Sequence, residues 1–180
     1  LKELSAKVRE VSSAVHDRSH NLHPSKLEQL GLVAAVRGLC KEQAKAHAVE
    51  VEFTSRQMPP SIPDDTALCL HRITQEALRH VIEHSGARHA RVELSGDEDG
   101  VSLRIADDGT GFDLGAVDGN GGLGLVSMRE RLRLVGGALV IDSRSAAGTR
   151  IDVHVPLCAT GQIPKAQPEE VLPAQAPGIR

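Results

Sequence analysis

At the start of the chain, apolar residues fall on alternating steps of three and four. Leu1, Leu4, Val8, Val11, Val15 and Leu22 form a heptad seam with Arg18 at its polar position. That pattern suits a helix packing on partner helices in a coiled coil or bundle, and equally an amphipathic helix folded onto its own domain. Pro24 ends this helix, and Leu32, Ala35, Val36, Leu39 and Cys40 form one stripe of a second, which reaches Ala48. The period then drops to two, with Val49, Val51 and Phe53 alternating with Glu50 and Glu52 as a half-exposed strand. Met58 to Pro63 is a proline-broken loop. Pro63-Asp64-Asp65 opens a helix to His84, because proline fits the first turn and the acids favour the positive end of the dipole. Its core stripe is Leu68, Ile73, Ala77 and Val81, and Ser85-Gly86 closes it.

Two hairpins and one more helix complete the pattern. Ala90, Val92 and Leu94 face Val101, Leu103 and Ile105 across the turn Asp97-Glu98-Asp99-Gly100. A helix from Leu123 to Leu134 stops at Gly136-Gly137, the expected left-handed terminator. Leu139 and Ile141 then pair with Ile151, Val153 and Val155 across Ser145-Ala146-Ala147-Gly148. Residues 159–180 are rich in Pro, Ala and Gln with little to bury, so they read as a disordered tail or linker.

Composition narrows the function. With 180 residues, 40% of them hydrophobic, the chain can bury one core. A net charge of -3, two Phe and no Trp or Tyr give neither a basic footprint nor a platform for stacking bases, so no nucleic-acid partner is expected. Cys40, Cys69 and Cys158 are far apart in apolar contexts and read as buried thiols of a reducing, cytoplasmic compartment. No apolar run approaches the roughly 18 residues of a membrane span, and no signal peptide is visible. Because it begins at leucine, the chain is expected to be a piece of a longer protein.

The chemistry concentrates where the second hairpin strand ends. Asp107-Asp108-Gly109-Thr110-Gly111-Phe112 sets an acidic pair and two glycines there, and Gly119-Asn120-Gly121-Gly122-Leu123-Gly124 opens the next helix. Strand end, glycines and helix start are where backbone can approach a ligand closely. Glu76, His80 and His84 recur every fourth residue on one helix face, either a solvated face or a site for a cation or an anionic ligand. Gly148-Thr149-Arg150 stands at another strand start. Free helix-start amides suit phosphates, and a strand-end carboxylate accepts a hydrogen bond from an exocyclic amine such as adenine's, so together these segments indicate a nucleotide site. His16, His20 and His23 are one turn apart but lack the glutamate of a zinc-protease helix, and read as a polar face.

These stretches resemble the boxes of the GHKL-superfamily ATP-binding domain, most closely that of sensor histidine kinases of the nitrate/nitrite-sensor class. Gln75-Glu76-Ala77-Leu78 with His84-Ser85-Gly86-Ala87 looks like the N box, and Asp107 to Phe112 like the G1 box. Gly122-Leu123-Gly124-Leu125 with Met128-Arg129-Glu130-Arg131 looks like the G2 region, and Gly148-Thr149 like the final glycine-threonine box. Leu22-His23-Pro24 through Leu30-Gly31-Leu32 is similar to the junction between dimerisation helices and ATPase domain, so the resemblance covers residues 1–157.

The resemblance implies an α+β fold, a two-layer α/β sandwich of the Bergerat type with a mixed sheet and an N-terminal helical segment. Residues 1–23 would end a dimerisation helix, 24–158 would form the ATP-binding catalytic domain, and 159–180 the tail. Asp107 would bind the adenine amine, and Gly109 and Gly111 would let the chain pass close to the base. Gly122, Leu123, Gly124 and Leu125 would bring backbone amides to the phosphates under a lid at Leu114 to Gly121, and Thr149 would add a hydroxyl near the adenine. Glu76 matches the acidic catalytic residue of the N box. His80 stands where the superfamily normally carries an asparagine that helps hold Mg²⁺, and imidazole is a poor ligand for that ion.

The implied activity is transfer of the ATP γ-phosphate, with Mg²⁺, to a histidine on a dimerisation helix, for relay to a response regulator. His16-Asp17 superficially matches an acceptor pair, but Arg18-Ser19-His20-Asn21 does not continue it, so the acceptor is expected upstream of residue 1. A homodimer is expected for the full-length protein, with ATP and ADP as ligands and no membrane contact by this fragment. The alternative is a nucleotide-binding or scaffolding GHKL domain whose catalysis is impaired by His80. A free-standing kinase controlling a transcription factor is a third reading, disfavoured by the heptad helix.

Overall fold

The computed structural model describes residues 25–112 and 122–157. The heptad segment, the lid stretch, Cys158 and the C-terminal tail lie outside the described residues. In chain order the elements are α1 (Ser25–Ala46), β1 (Glu50–Arg56), α2 (Asp64–His80) continued by a π-helical turn (Val81–Ser85), β2 (His89–Gly96), β3 (Gly100–Asp107), α3 (Gly122–Leu134), β4 (Ala138–Ser143) and β5 (Thr149–Pro156). The sheet runs β1-β2-β3-β5-β4. β1 pairs parallel to β2 and every other pair is antiparallel, giving the mixed sheet of the expected α+β fold. A parallel pair cannot be closed by a tight turn, and α2 supplies the crossover.

Strand alternation makes the two layers. In-register pairs such as Val92↔Ile105, Leu103↔Val153 and Ile105↔Ile151 stand on one face and are buried. The opposite face carries Arg91, Arg104, Arg150 and Asp152, tied by ion pairs such as Arg104 Nε to Asp152 Oδ1 at 2.6 Å. Against the apolar face the helices bring Val36 from α1, Leu70, Ile73 and Leu78 from α2, and Met128 and Leu132 from α3. The core is thus aliphatic, as the composition requires. Cys40 and Cys69 are buried free thiols, and burial pushes them up to about 12 and about 11.

Two local features differ from the sequence pattern. Gly31, at φ 77 and ψ 171, breaks α1 so that its first turn is offset from the rest. The helix expected to run evenly to His84 instead widens into the π-helical turn, which ends at Gly86 in the left-handed conformation (φ 63). His71 is buried on α2, with Nδ1 lacking a hydrogen-bond partner among the described residues. Burial, reinforced by the neighbouring Arg72 charge, lowers its pKa to about 4.

Candidate nucleotide site

Between α2 and the sheet lies a cavity of about 290 Å³. Ala77 and Val81 on α2, Ile105 on β3, Ile151 on β5, Leu125 on α3 and Phe112 give it apolar walls. Asp107, Thr149, Ser85, His80 and His84 supply its polar groups. An apolar slot with a few placed polar groups is the usual form of a small-molecule site.

Consecutive residues at a strand end point to opposite faces, and this splits the acidic pair. Asp107 is half-buried, pairs in register with Thr149, and its Oδ1 accepts the Gly109 N–H at 2.9 Å. Burial raises its carboxyl above the ordinary value, opposed chiefly by that Gly109 hydrogen bond. Asp108 faces away. Its Oδ1 accepts the N–H groups of Arg88 (2.8 Å) and His89 (2.9 Å), and its Oδ2 lies 2.7 Å from His89 Nδ1. Those bonds, the His89 amide first, hold the Asp108 carboxyl at about 2. Asp108 therefore fastens the start of β2 to the end of β3, while Asp107 is left for the cavity.

The glycines are explained by how closely three backbones meet. A Cβ on Gly109 would lie 2.5 Å from the Ser85 carbonyl oxygen, which also accepts the Thr110 N–H at 2.7 Å. Gly111 has φ 59, and a Cβ there would collide with the Arg144 carbonyl in the β4–β5 turn. From the same corner, Ser143 Oγ accepts the Phe112 N–H at 2.9 Å and lies 2.9 Å from Thr149 Oγ1. The Asp107 loop is thereby clamped between the end of α2 and the last hairpin.

The N-terminus of α3 meets the Glu76–His80 pair at the other end. Glu76 Oε1 and His80 Nε2 are 3.4 Å apart, and a Cβ on Gly124 would collide with the first and lie 2.6 Å from the second. Both Glu76 oxygens accept from Arg79, at 2.5 and 3.1 Å, and Arg79 also reaches Glu83 at 2.7 Å. The Arg79 hydrogen bond lowers the Glu76 pKa, while burial lowers that of His80. The Glu76 contact lacks hydrogen-bond geometry, so the buried Nε2 has no hydrogen-bond partner among the described residues. The first turn of α3 carries no acidic residue of its own, and the positive end of a helix dipole favours an anion.

Of the residues singled out from the sequence, His80, Asp107, Gly111, Leu125 and Thr149 line the cavity. Gly109 packs behind it on Ser85, and Gly124 packs on Glu76 and His80. Gly122 and Leu123 begin α3. Glu76 lines a neighbouring groove with Arg72, Arg79 and Arg131. Sequence reasoning missed the cavity roles of Ser85, Ile105, Ile151 and Phe112 and the bracing role of Ser143. Ile105 and Ile151 were legible only as strand core, and nothing local marks Ser143.

The apolar slot with Asp107 at one end and α3 amides at the other fits a nucleotide. Mg²⁺ fits poorly, since it asks for octahedral oxygen ligands. His80 offers nitrogen, Glu76 is bonded to a guanidinium, and no group of three metal-ligating side chains occurs among the described residues.

Known proteins match this architecture. The profile of the histidine kinase-, DNA gyrase B- and HSP90-like ATPase family matches residues 65–159. Sensor histidine kinase MctS of Rhizobium johnstonii is 34% identical over 143 residues, covering 78% of this chain and 31% of MctS. Oxygen sensor histidine kinase NreB of Staphylococcus carnosus is 32% identical over 143 residues, covering 79% of this chain and 41% of NreB. The chain therefore spans less than half the length of either relative. Among solved structures, the histidine kinase domain of the Erythrobacter litoralis blue-light activated histidine kinase superposes with a TM-score of 0.56 at 19% identity, over 70% of this chain and 61% of that one, a likeness of fold.

Proposed function

The chain belongs to the histidine kinase-, DNA gyrase B- and HSP90-like ATPase family, and on that premise we propose that it is the ATP-binding catalytic region of a sensor histidine kinase. The observation that carries the reading is Asp107, half-buried at the end of β3 and facing an apolar cavity of about 290 Å³. Asp107 accepts the adenine amine, with Thr149 beside it, and Ile105, Ile151 and Leu125 cover the faces of the base. Gly109 and Gly111 keep the Asp107 loop pressed into position. The amides at Gly122 to Leu125 receive the phosphates beside His80, and Glu76 orients the reacting end. In this reading residues 24–158 belong to the catalytic domain, residues 1–23 to the dimerisation region, and residues 159–180 lie outside both.

In the full-length protein the γ-phosphoryl group passes to a histidine on a dimerisation helix preceding residue 1, and from there to an aspartate of a response regulator. Homodimerisation and a cytoplasmic setting belong to the same reading; among the described residues no helix is long and apolar enough to cross a membrane.

Isothermal titration with ADP tests the site. A hydrogen bond to a charged group is worth about 1.5–3 kcal/mol, so Asp107→Asn is expected to weaken binding about 10- to 100-fold. Unchanged affinity in that variant sinks the assignment. A second reading, a nucleotide-binding scaffold without efficient turnover, is favoured by the Arg79 guanidinium held on Glu76. His80→Asn in the full-length kinase separates the two: an active parent supports the kinase, whereas an inactive parent that gains nothing supports the scaffold.

A further inference from the structure

Between α1, α2 and α3 lies a second groove, of about 450 Å³, which shares no lining residue with the nucleotide cavity. Arg72, Glu76, Arg79 and Glu83 border it, at steps of three and four along α2 and its π-helical turn. Arg79 bonds to both Glu76 oxygens and to Glu83, so these three charges satisfy one another. Arg72, and Arg131 from α3, are left over. Neither has an ion pair among the described residues; Arg72 donates to Gln75 Oε1 at 2.9 Å and Arg131 to Ser127 Oγ at 3.3 Å. Arg72 is also the one arginine among the described residues that is not exposed. A charge drawn partly out of water ordinarily has a counter-charge. Here its neighbour is a second cation, and burial, reinforced by the Arg131 charge, lowers the Arg72 pKa.

We propose that this groove is a second binding site, for a small ligand carrying a dianionic phosphoryl group held between the Arg72 and Arg131 guanidiniums. Each guanidinium has five N–H donors in a planar fork, and each makes one hydrogen bond among the described residues. Such forks pair bidentately with phosphate oxygens, and two of them match a dianion better than a single carboxylate. Gln43 and His47 from α1 add polar groups to the same groove. Its volume exceeds what a phosphoryl group fills and lies in the range of small-molecule sites. Leu39, Ile82 and Met128 line the remainder, so the body of the ligand is apolar. Neither Asp107 nor the cavity takes part, and the site stands whether or not the cavity holds a nucleotide.

The test is titration of the methyl-labelled whole chain, without nucleotide, with inorganic phosphate, phenyl phosphate and acetate at one ionic strength set by chloride. It is repeated on Arg72→Gln and on the exposed Arg131→Gln, each shown to be folded by circular dichroism. The expected result is a saturable shift of the Ile82 and Met128 methyl signals with phosphate, tighter binding of phenyl phosphate, and acetate weaker by about tenfold or more. Each variant should weaken phosphate about 10- to 100-fold, the loss of a hydrogen bond to a charged group. Phosphate should also raise the melting temperature of wild type and of neither variant, an effect that a merely structural Arg72 would not produce. The proposal is overturned by the absence of a saturable shift, by acetate binding as tightly as phosphate, or by unchanged phosphate affinity in either variant.

Discussion

Gly124→Ala places a methyl group at the junction where α3 meets α2. Its Cβ would collide with Glu76 Oε1 and lie 2.6 Å from His80 Nε2, separations real Cβ atoms do not tolerate. Both atoms are the far ends of side chains, so the protein yields by turning them aside. Disturbing the Glu76–Arg79 pair costs about 0–1 kcal/mol, since that pair is well exposed. An off-rotamer His80 adds about 0.5–1.5 kcal/mol. Against this, alanine is better than glycine inside a helix by about 1 kcal/mol. The terms nearly cancel, so stability should change by no more than about 1 kcal/mol, a melting shift of roughly 4–8 °C or less. Binding should not be spared. A methyl group at the helix start intrudes where the α3 amides are to receive the phosphates, and losing one such amide-to-phosphate hydrogen bond, a bond to a charged group, corresponds to about 10- to 100-fold in ADP affinity. Thermal melting and calorimetric titration on the same preparation separate the two effects. A folded variant that binds ADP as wild type does would refute the placement of the phosphates beside Gly124, Glu76 and His80.

Two other glycines should part company by their surroundings. Gly111→Ala forces a side chain into a left-handed conformation and against the Arg144 carbonyl, so it should destabilise the fold by roughly 2–5 kcal/mol in urea melts. Gly38→Ala in α1 has nothing within 4 Å of its Cβ and should stabilise by about 1 kcal/mol; a loss there would contradict the helix assignment. His71 predicts an acid-side loss of stability. Its folded pKa of about 4 lies below the ordinary 6.5, so the unfolded chain takes up the proton first. Stability falls as pH drops from 6.5 to about 4, by roughly 2–3 kcal/mol from this group. Urea melts at pH 7.5 and 4.5 should show that His71→Leu removes this share of the decline, and an unaltered pH dependence would refute it.

Much of the fold was legible because its elements carry clean periods. The alternation at Val92-Leu94 and Leu103-Ile105 named both a hairpin and the face it buries, and Gly136 ended α3 where a left-handed residue was expected (φ 66). What stayed hidden depends on contacts between distant segments. Nothing in Asp107-Asp108 says which carboxylate is structural; that is decided by the Arg88 and His89 amides, about twenty residues earlier. The glycines of the Asp107 loop read as room for a ligand, whereas the nearest obstacles to a side chain are the protein's own Ser85 and Arg144 carbonyls. Likewise the π-helical turn at Val81–Ser85, which sets Ser85 beside the Asp107 loop, leaves no mark in the hydrophobic pattern.

In the proposed complex an adenine base lies in the slot between α2 and the sheet with its amine on Asp107. Nuclear magnetic resonance of the methyl-labelled chain with ADP tests it most directly. Intermolecular cross-peaks are expected from the adenine ring protons to the methyl groups of Ile105, Ile151 and Leu125, all of which line the cavity. Cross-peaks confined instead to Leu39, Ile82 and Met128, in the groove beside Arg72 and Arg131, would contradict it.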